Sequence, residues 1–195
     1  MSKIFDLAHA FTAPAEGGLT EHKNDPGGIT NYGVSLRFIK DEGIDIDGDG
    51  VISRADILAM TPGKAKDVFK RAFWDKLNLD ALSPRVAIVT YDAAVNTGRT
   101  QTVKFLQRAC NSFPGTAVDD DGKIGPVTRA RVRAIVDIGN ADIALAEAAI
   151  AQRRAFHQML ADNSPYSDGR DYRPFIVGWL NRCRALKTYI HGVEV

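Results

Sequence analysis

The sequence predicts a mainly α-helical protein with a small sheet or none, and with an acidic loop inserted in its first half. Apolar residues recur at three- and four-residue intervals, as in the N-terminal run of Ile4, Phe5 and Ala8, which is the period of an amphipathic helix. Helix start signals separate such runs, because Ser83-Pro84 fits an N-cap residue followed by the first helical position.

Composition favours a globular body and excludes several classes of partner. The chain has 195 residues, 45% of them hydrophobic, which is enough to bury a sizeable core. Its net charge of +1 does not suit binding to a nucleic-acid backbone. No apolar run approaches the ~20 residues of a membrane span. The first residues lack the cleavage site of a secretory signal, so we expect synthesis in the cytoplasm.

The helices are predicted in chain order from periodicity and from glycine and proline breaks. They cover residues 4–16, 34–42, 54–60, 64–77, 84–98, 100–110, a segment from 126, 142–160 and 174–190. Phe69, Phe73 and Trp74 are expected in the core. Cys110 and Cys183 lie 73 residues apart in sequence without metal-site spacing, which favours buried free thiols, although a disulfide is not excluded.

The acidic loop at residues 45–56 fits the calcium loop of an EF-hand. Aspartates at Asp45, Asp47 and Asp49 occupy the first, third and fifth positions, Val51 supplies a main-chain oxygen, and Asp56 is the twelfth. Three neighbouring acids repel one another unless a cation neutralises them. The sequence therefore predicts a structural Ca²⁺ site, and the alternative is an acidic surface loop followed by a helix N-cap at Ser53.

A glycine-rich stretch at residues 16–34 carries the side chains with the clearest chemical potential. Glu16, Asp25 and Thr30 lie within it, in a segment that reads EGGLTEHKNDPGGITNYGV. A protonated acid and a second carboxylate are what glycosidic cleavage requires. A helix end near apolar residues would raise the pKa of Glu16, whereas a wet turn would keep Asp25 ionised. Alternatively, Glu16 is an ordinary helix-end residue and Asp25 lies in a plain turn.

The same stretch resembles the signature of glycoside hydrolase family 108, which comprises lysozyme-like N-acetylmuramidases of phage endolysins and bacterial secretion-activating proteins. The matching residues are Glu16-Gly17-Gly18, Asp25-Pro26-Gly27-Gly28, Thr30 and Tyr32-Gly33-Val34. The resemblance implies that Glu16 is the general acid, that Asp25 is the base or electrostatic partner, and that Thr30 positions water. It also implies a lysozyme-like fold with substrate contacts at Tyr32 and at Asn96, although Asn96 equally fits a helix cap before Gly98.

The second half resembles the peptidoglycan domain that accompanies this family. Leu106-Gln107 followed by Asp121-Gly-Lys-Ile-Gly-Pro-Val-Thr128, and the closing Phe175-Ile-Val-Gly-Trp179-Leu-Asn-Arg182, carry that resemblance. We therefore divide the chain into a lysozyme-like segment at 1–98 and a peptidoglycan-binding-like segment at 99–195, expected to pack together. Asp119 to Asp121 are expected to form a turn rather than a second metal site. Arg153, Arg154 and His157 are expected on a solvated face, or else in the substrate cleft.

The resemblance implies a peptidoglycan muramidase that hydrolyses the β-1,4 bond between N-acetylmuramic acid and N-acetylglucosamine without a catalytic cofactor. The alternatives are a lytic transglycosylase on the same bond and a non-catalytic wall-binding or secretion-activating protein. Glycan strands of peptidoglycan are the expected partner, and neither nucleic acid nor a membrane span is expected. We expect a monomeric endolysin that reaches the wall or periplasm after release through a holin or another export route.

Overall fold

The computed structural model describes residues 2–13, 18–21, 28–139, 141–165 and 169–194. Within them the mainly α fold is confirmed, because helices dominate and the strands form one small sheet. The α-helices are α1 (Lys3–Thr12), α2 (Leu36–Glu42), α3 (Arg54–Leu58), α4 (Pro62–Phe69), α5 (Pro84–Thr97), α6 (Arg99–Asn111), α7 (Pro126–Val136), α8 (Asp142–Asp162) and α9 (Ile176–Gly192). The strands are β1 (Thr30–Asn31) and β2 (Val34–Ser35).

The chain divides into two compact units. A helical unit comprises Met1–Phe11 and Leu77–Val195, and a loop-rich unit comprises Thr12–Lys76. This spatial division differs from the sequence division at residue 98, since α5 from the first predicted segment packs against α6 and α8 from the second. Both predicted segments therefore contribute to the helical unit.

The core of the helical unit is built around α8, which packs against α5, α6 and α9. Every residue of α5 from Val86 to Ala94 is buried, because its neighbours cover more than one face. Ser83 begins α5 as predicted, but its hydroxyl makes no capping bond. Asp142 from α8 takes that role, and its carboxylate accepts from the backbone N–H groups of Arg85 and Val86 at 3.3 and 3.4 Å.

The loop-rich unit has an aromatic core. Phe73 stacks on Phe38 from α2 with ring centroids 5.5 Å apart, and Trp74 is fully buried, so the predicted core role of these aromatic residues is confirmed. The sequence predicts one helix over residues 64–77. The structure instead has α4 followed by a π-helical turn at Lys70–Asp75, which widens the helix where Phe73 and Trp74 enter the core.

Burial settles the prediction for the two cysteines. Cys110 and Cys183 are both free and buried, as predicted, and burial raises the pKa of Cys110 to about 11.

Helix α1 ends at Thr12, earlier than the predicted extension to residue 16. Among the described residues, no helix is both long enough and apolar enough to cross a membrane.

Candidate functional site

The described part of the glycine-rich stretch is a β-hairpin. Strands β1 and β2 pair Asn31 with Val34, which leaves Tyr32 and Gly33 as a two-residue turn. Both have positive φ, at 49° and 76°, as a type I′ hairpin turn requires. A tyrosine in this region of φ is uncommon, so the Tyr-Gly pair fixes the half-buried Tyr32 at the hairpin tip. The predicted helix therefore begins two residues later, at Leu36, with Ser35 as its N-cap.

Thr30 is held by two backbone hydrogen bonds to Thr20. Its N–H donates to the carbonyl of Thr20 at 2.9 Å, and its carbonyl accepts from the N–H of Thr20 at 2.8 Å. This bridge joins the described segment at 18–21 to the described segment that begins at residue 28. Neighbouring Asn31 is buried and donates through its side chain to the carbonyl of Ile57 at 3.1 Å, which fixes the hairpin to the end of α3.

Two of the predicted catalytic residues, Glu16 and Asp25, lie outside the described residues. The third, Thr30, lies in β1. Their predicted roles therefore stay predictions, and so does the substrate contact proposed for Tyr32. What the structure adds is that the backbone of Thr30 is fixed by its two hydrogen bonds to Thr20.

Asn96 lies exposed near the C-terminus of α5. Its side-chain amide donates to the carbonyl of Asp92, one turn back, at 2.7 Å, and Gly98 follows with φ of 80°. This bond is local to α5, and the exposed position differs from the buried cap that the sequence offered as an alternative. A contact between Asn96 and substrate stays a prediction.

The acidic loop brings together three of its five predicted ligands. Asp45, Asp47 and Asp49 each place one carboxylate oxygen within 4.8 Å of the others. Gly50 at the sixth position has φ of 86°, which suits the sharp turn that a calcium loop makes there. Its N–H donates to Asp45 at 2.8 Å. The main-chain N–H of Val51 donates to Asp49 at 2.7 Å.

Asp56, the predicted twelfth ligand, is fully buried and accepts from the backbone. It receives N–H bonds from Ile46 at 2.6 Å and Ser53 at 2.7 Å, and with Ser53 it forms a capping box at the start of α3. Burial alone would raise the pKa of Asp56, but these hydrogen bonds outweigh it and lower the pKa below its usual value. Asp56 thus ties the loop to α3, and a role as calcium ligand stays a prediction.

A buried ion cluster in the helical unit was not anticipated from the sequence. Asp92 on α5 is fully buried and accepts from Arg153 on α8 at 2.6 Å. It also accepts from the Nε of Arg182 on α9 at 3.1 Å. The side chain of Arg153 is 1% exposed and that of Arg182 31%. One carboxylate therefore connects three helices through two guanidinium groups.

His157 extends this cluster. It accepts at Nε2 from the Nε of Arg153 at 3.2 Å, so the ring is neutral with its proton on Nδ1, for which the described residues supply no acceptor. Burial, with the nearby charge of Arg153, lowers the pKa of His157 to about 4. The expectation of a solvated face is therefore wrong for Arg153 and His157, which lie one turn apart on the buried side of α8. It holds for the exposed Arg154.

The segment from Asp121 to Thr128 is organised by Gln107 on α6. The Gln107 amide nitrogen donates to Asp121 at 2.8 Å, and its oxygen accepts from the N–H of Gly122 at 2.9 Å. The bond from Gln107 lowers the pKa of Asp121. Asp121 also accepts from the N–H of Lys123, two residues on, at 2.8 Å, a local bond typical of the expected turn. A buried glutamine holding this turn explains why Leu-Gln precedes the DGKIGPVT segment.

Comparison with known proteins assigns both halves of the chain. The family described as Glycosyl hydrolase 108 matches residues 9–98, and the family described as Predicted Peptidoglycan domain matches residues 101–184. Among solved structures, one titled "Structure of Brucella abortus SagA" is similar, with 29% sequence identity and a TM-score of 0.67. The match covers 96% of this chain and 93% of that one. The search among curated proteins found no match.

These matches span nearly all of the chain, in the order that the sequence motifs predict. They also support a glycosidase-like role on peptidoglycan. Residues 9–98 are therefore recognised as a glycosyl hydrolase family 108 segment, and residues 101–184 as a Predicted Peptidoglycan domain.

Proposed function

We propose that this protein is a peptidoglycan muramidase that hydrolyses the β-1,4 bond between N-acetylmuramic acid and N-acetylglucosamine. The observation that carries the proposal is the family match over residues 9–98, which contains Glu16, Asp25 and Thr30. The peptidoglycan-domain match over residues 101–184 supports the same substrate. On this proposal the enzyme acts on the wall or periplasm after its release from the cytoplasm.

In the proposed reaction, the carboxylic acid of Glu16 gives its proton to the glycosidic oxygen as the bond to the anomeric carbon breaks. Water attacks that carbon and passes a proton to the carboxylate of Asp25. Thr30 holds the water through its hydroxyl. The double backbone bond between Thr30 and Thr20 supports this role, because a positioning group must itself be fixed. The step consumes one water and needs no cofactor.

Product analysis of digested sacculi tests the proposal. Purified peptidoglycan incubated with the protein should release glycans with reducing muramic acid ends, because a water molecule enters at the broken bond. Mass spectrometry of the products gives the reaction class directly. Products with 1,6-anhydro ends would contradict hydrolysis and identify a lytic transglycosylase.

A non-catalytic wall-binding protein is the second candidate, favoured by the peptidoglycan-domain match, which supports binding whether or not cleavage occurs. It predicts that the protein sediments with sacculi and creates no new ends. That result, with a correctly folded protein, would overturn the muramidase proposal.

We further propose that the acidic loop binds Ca²⁺ as a structural ion. Its three clustered carboxylates offer the oxygen donors that Ca²⁺ prefers, and the capping box of Asp56 joins the loop to α3. Because an ion that binds the folded state stabilises it by linkage, calcium should raise the melting temperature of the loop-rich unit by several degrees.

Asp49→Asn should abolish most of this calcium-dependent shift, as measured by thermal melting with Ca²⁺ and with chelator. Asp41→Asn is the matched control, since Asp41 is exposed and pairs with Arg37 on α2, outside the loop. An equal calcium response in both variants, or none in the parent protein, would contradict the site.

A further inference from the structure

A column of three stacked rings runs from the ion cluster to the surface of the helical unit. His157 is buried and stacks on Trp179 with centroids 4.6 Å apart and planes at 27°. Trp179 is half-buried and stacks in turn with Phe175, at 5.8 Å and 23°. Phe175 is 56% exposed. We call His157, Trp179 and Phe175 the aromatic column, and its outermost ring is the largest exposed aromatic group among the described residues.

The outer part of the column lies at the start of α9, where Phe175 ends a 3-10 turn and is the N-cap residue of the helix. Gly178 and Trp179 follow Phe175 by three and four residues, so both lie on its side of the helix. A Cβ built at Gly178 would meet no atom within 4 Å, so neither packing nor close helix approach in the described structure requires glycine there. Glycine within an exposed helix costs stability relative to alanine. Its presence beside an exposed phenylalanine leaves room for a flat ligand lying along the helix.

The rigidity of this surface distinguishes it from an incidental exposed side chain. Trp179 is fixed from below by His157, which is held by Arg153 at 3.2 Å, and Arg153 is held by Asp92. The ring of Tyr172 also contacts Trp179, with centroids 5.9 Å apart. A ring that is already immobilised loses little side-chain entropy when a ligand stacks on it. The column is thus a preformed binding surface.

We propose that the strip of Phe175, Gly178 and Trp179 is a glycan-binding subsite, on which a pyranose ring of a β-1,4-linked amino-sugar strand stacks. Both residues of the column that reach the surface lie within the Predicted Peptidoglycan domain at 101–184. The apolar C–H face of a pyranose complements an aromatic face. The inference rests on the proposed function for its choice of substrate.

Intrinsic fluorescence gives a direct binding measurement, because the chain has two tryptophans and Trp74 is fully buried. Titration of the Glu16→Gln protein with the β-1,4-linked tetramer of N-acetylglucosamine should change the emission of Trp179. Phe175→Ala in that background should weaken binding of the tetramer, and of intact sacculi in co-sedimentation, by about three- to tenfold, the loss expected for one aromatic contact.

Gly178→Ala separates binding from folding. Since the added methyl meets no atom and alanine favours helix, this variant should melt at or above the temperature of the parent protein. It should nevertheless bind the tetramer less tightly, because the methyl stands on the strip. Val177→Ala is the matched control: Val177 is 66% exposed but points away from the strip, and its replacement should leave binding unchanged.

The possible outcomes separate this inference from the muramidase proposal. Loss of tetramer and sacculus binding in Phe175→Ala and Gly178→Ala supports the subsite even if no cleavage is ever detected. In an active enzyme, the same variants should raise the half-saturating sacculus concentration and leave the maximal rate intact. Unchanged binding in both variants would overturn the subsite. So would binding to anionic lipid vesicles that requires Phe175 without any binding to glycan.

Discussion

Asp92→Asn should destabilise the helical unit by about 3–5 kcal/mol, the usual cost of removing one partner from a buried ion pair. The carboxylate of Asp92 is fully buried and accepts from Arg153, whose side chain is 1% exposed. Without that negative charge, the guanidinium of Arg153 stays in the core with no ionic partner at this position. Because a typical protein is stable by only about 5–15 kcal/mol, denaturant unfolding followed by circular dichroism should show a large loss.

Asp171→Asn provides the matched control for this variant. Asp171 also forms an ion pair with an arginine, Arg173 at 2.7 Å, but both side chains are exposed. Water replaces the lost interaction there, so its melting curve should remain almost unchanged. If the two variants were equally stable, the ion pair between Asp92 and the buried Arg153 would contribute nothing to stability, and the cluster would have no structural role.

The source of the loss can be tested with a double variant. Combining Asp92→Leu with Arg153→Met removes both buried charges, and such replacements are often neutral or stabilising when they pack well. The double variant should therefore be more stable than Asp92→Asn alone. A double variant that is less stable would show that specific hydrogen bonds, and not the unpaired charge, account for the cost.

The cluster also shows where sequence-based prediction reached its limit. Asp92 and Arg182 lie 90 residues apart in sequence, and a solvated position is the default expectation for a charged side chain. The useful signal was local: Asp92 stands within a run of α5 that is otherwise buried from Val86 to Ala94. A charge inside a continuous apolar run implies a buried partner, although the partner's position cannot be predicted from spacing.

Features with local causes were predicted well. The helices follow from apolar periodicity, and the turn at Asp121 follows from its Asp-Gly and Gly-Pro pairs. The hairpin was missed because its strands have two residues each, too short for an alternating pattern, although Tyr32-Gly33 fits a two-residue turn. The clustering of Asp45, Asp47 and Asp49 was predictable because a twelve-residue loop contains its own ligands.

Glu16→Gln should abolish cleavage of sacculi and leave the fold intact. In the proposed reaction the acid delivers a proton to the leaving oxygen, and a glutamine amide cannot replace it. General acid catalysis contributes about 10²–10⁴-fold in rate, so the release of reducing ends should fall by at least that lower factor. Far-ultraviolet circular dichroism and thermal melting would establish that the variant still folds.

Glu21→Gln is the matched control, because Glu21 is an exposed acid five residues further along the chain that pairs with Arg54 at 2.8 Å. It should retain cleavage, since its carboxylate has a partner and no part in the proposed chemistry. Full activity of Glu16→Gln would end the assignment of the catalytic acid, whereas loss of cleavage in Glu16→Gln alone would identify Glu16 as that acid.

A comparison of Asp25→Asn with Thr30→Val would then show which of the two residues positions the water. Slow cleavage by Asp25→Asn would support the role of Asp25 as the base. Almost unchanged cleavage would make Asp25 a turn residue and would favour chemistry by a single acid, with 1,6-anhydro products.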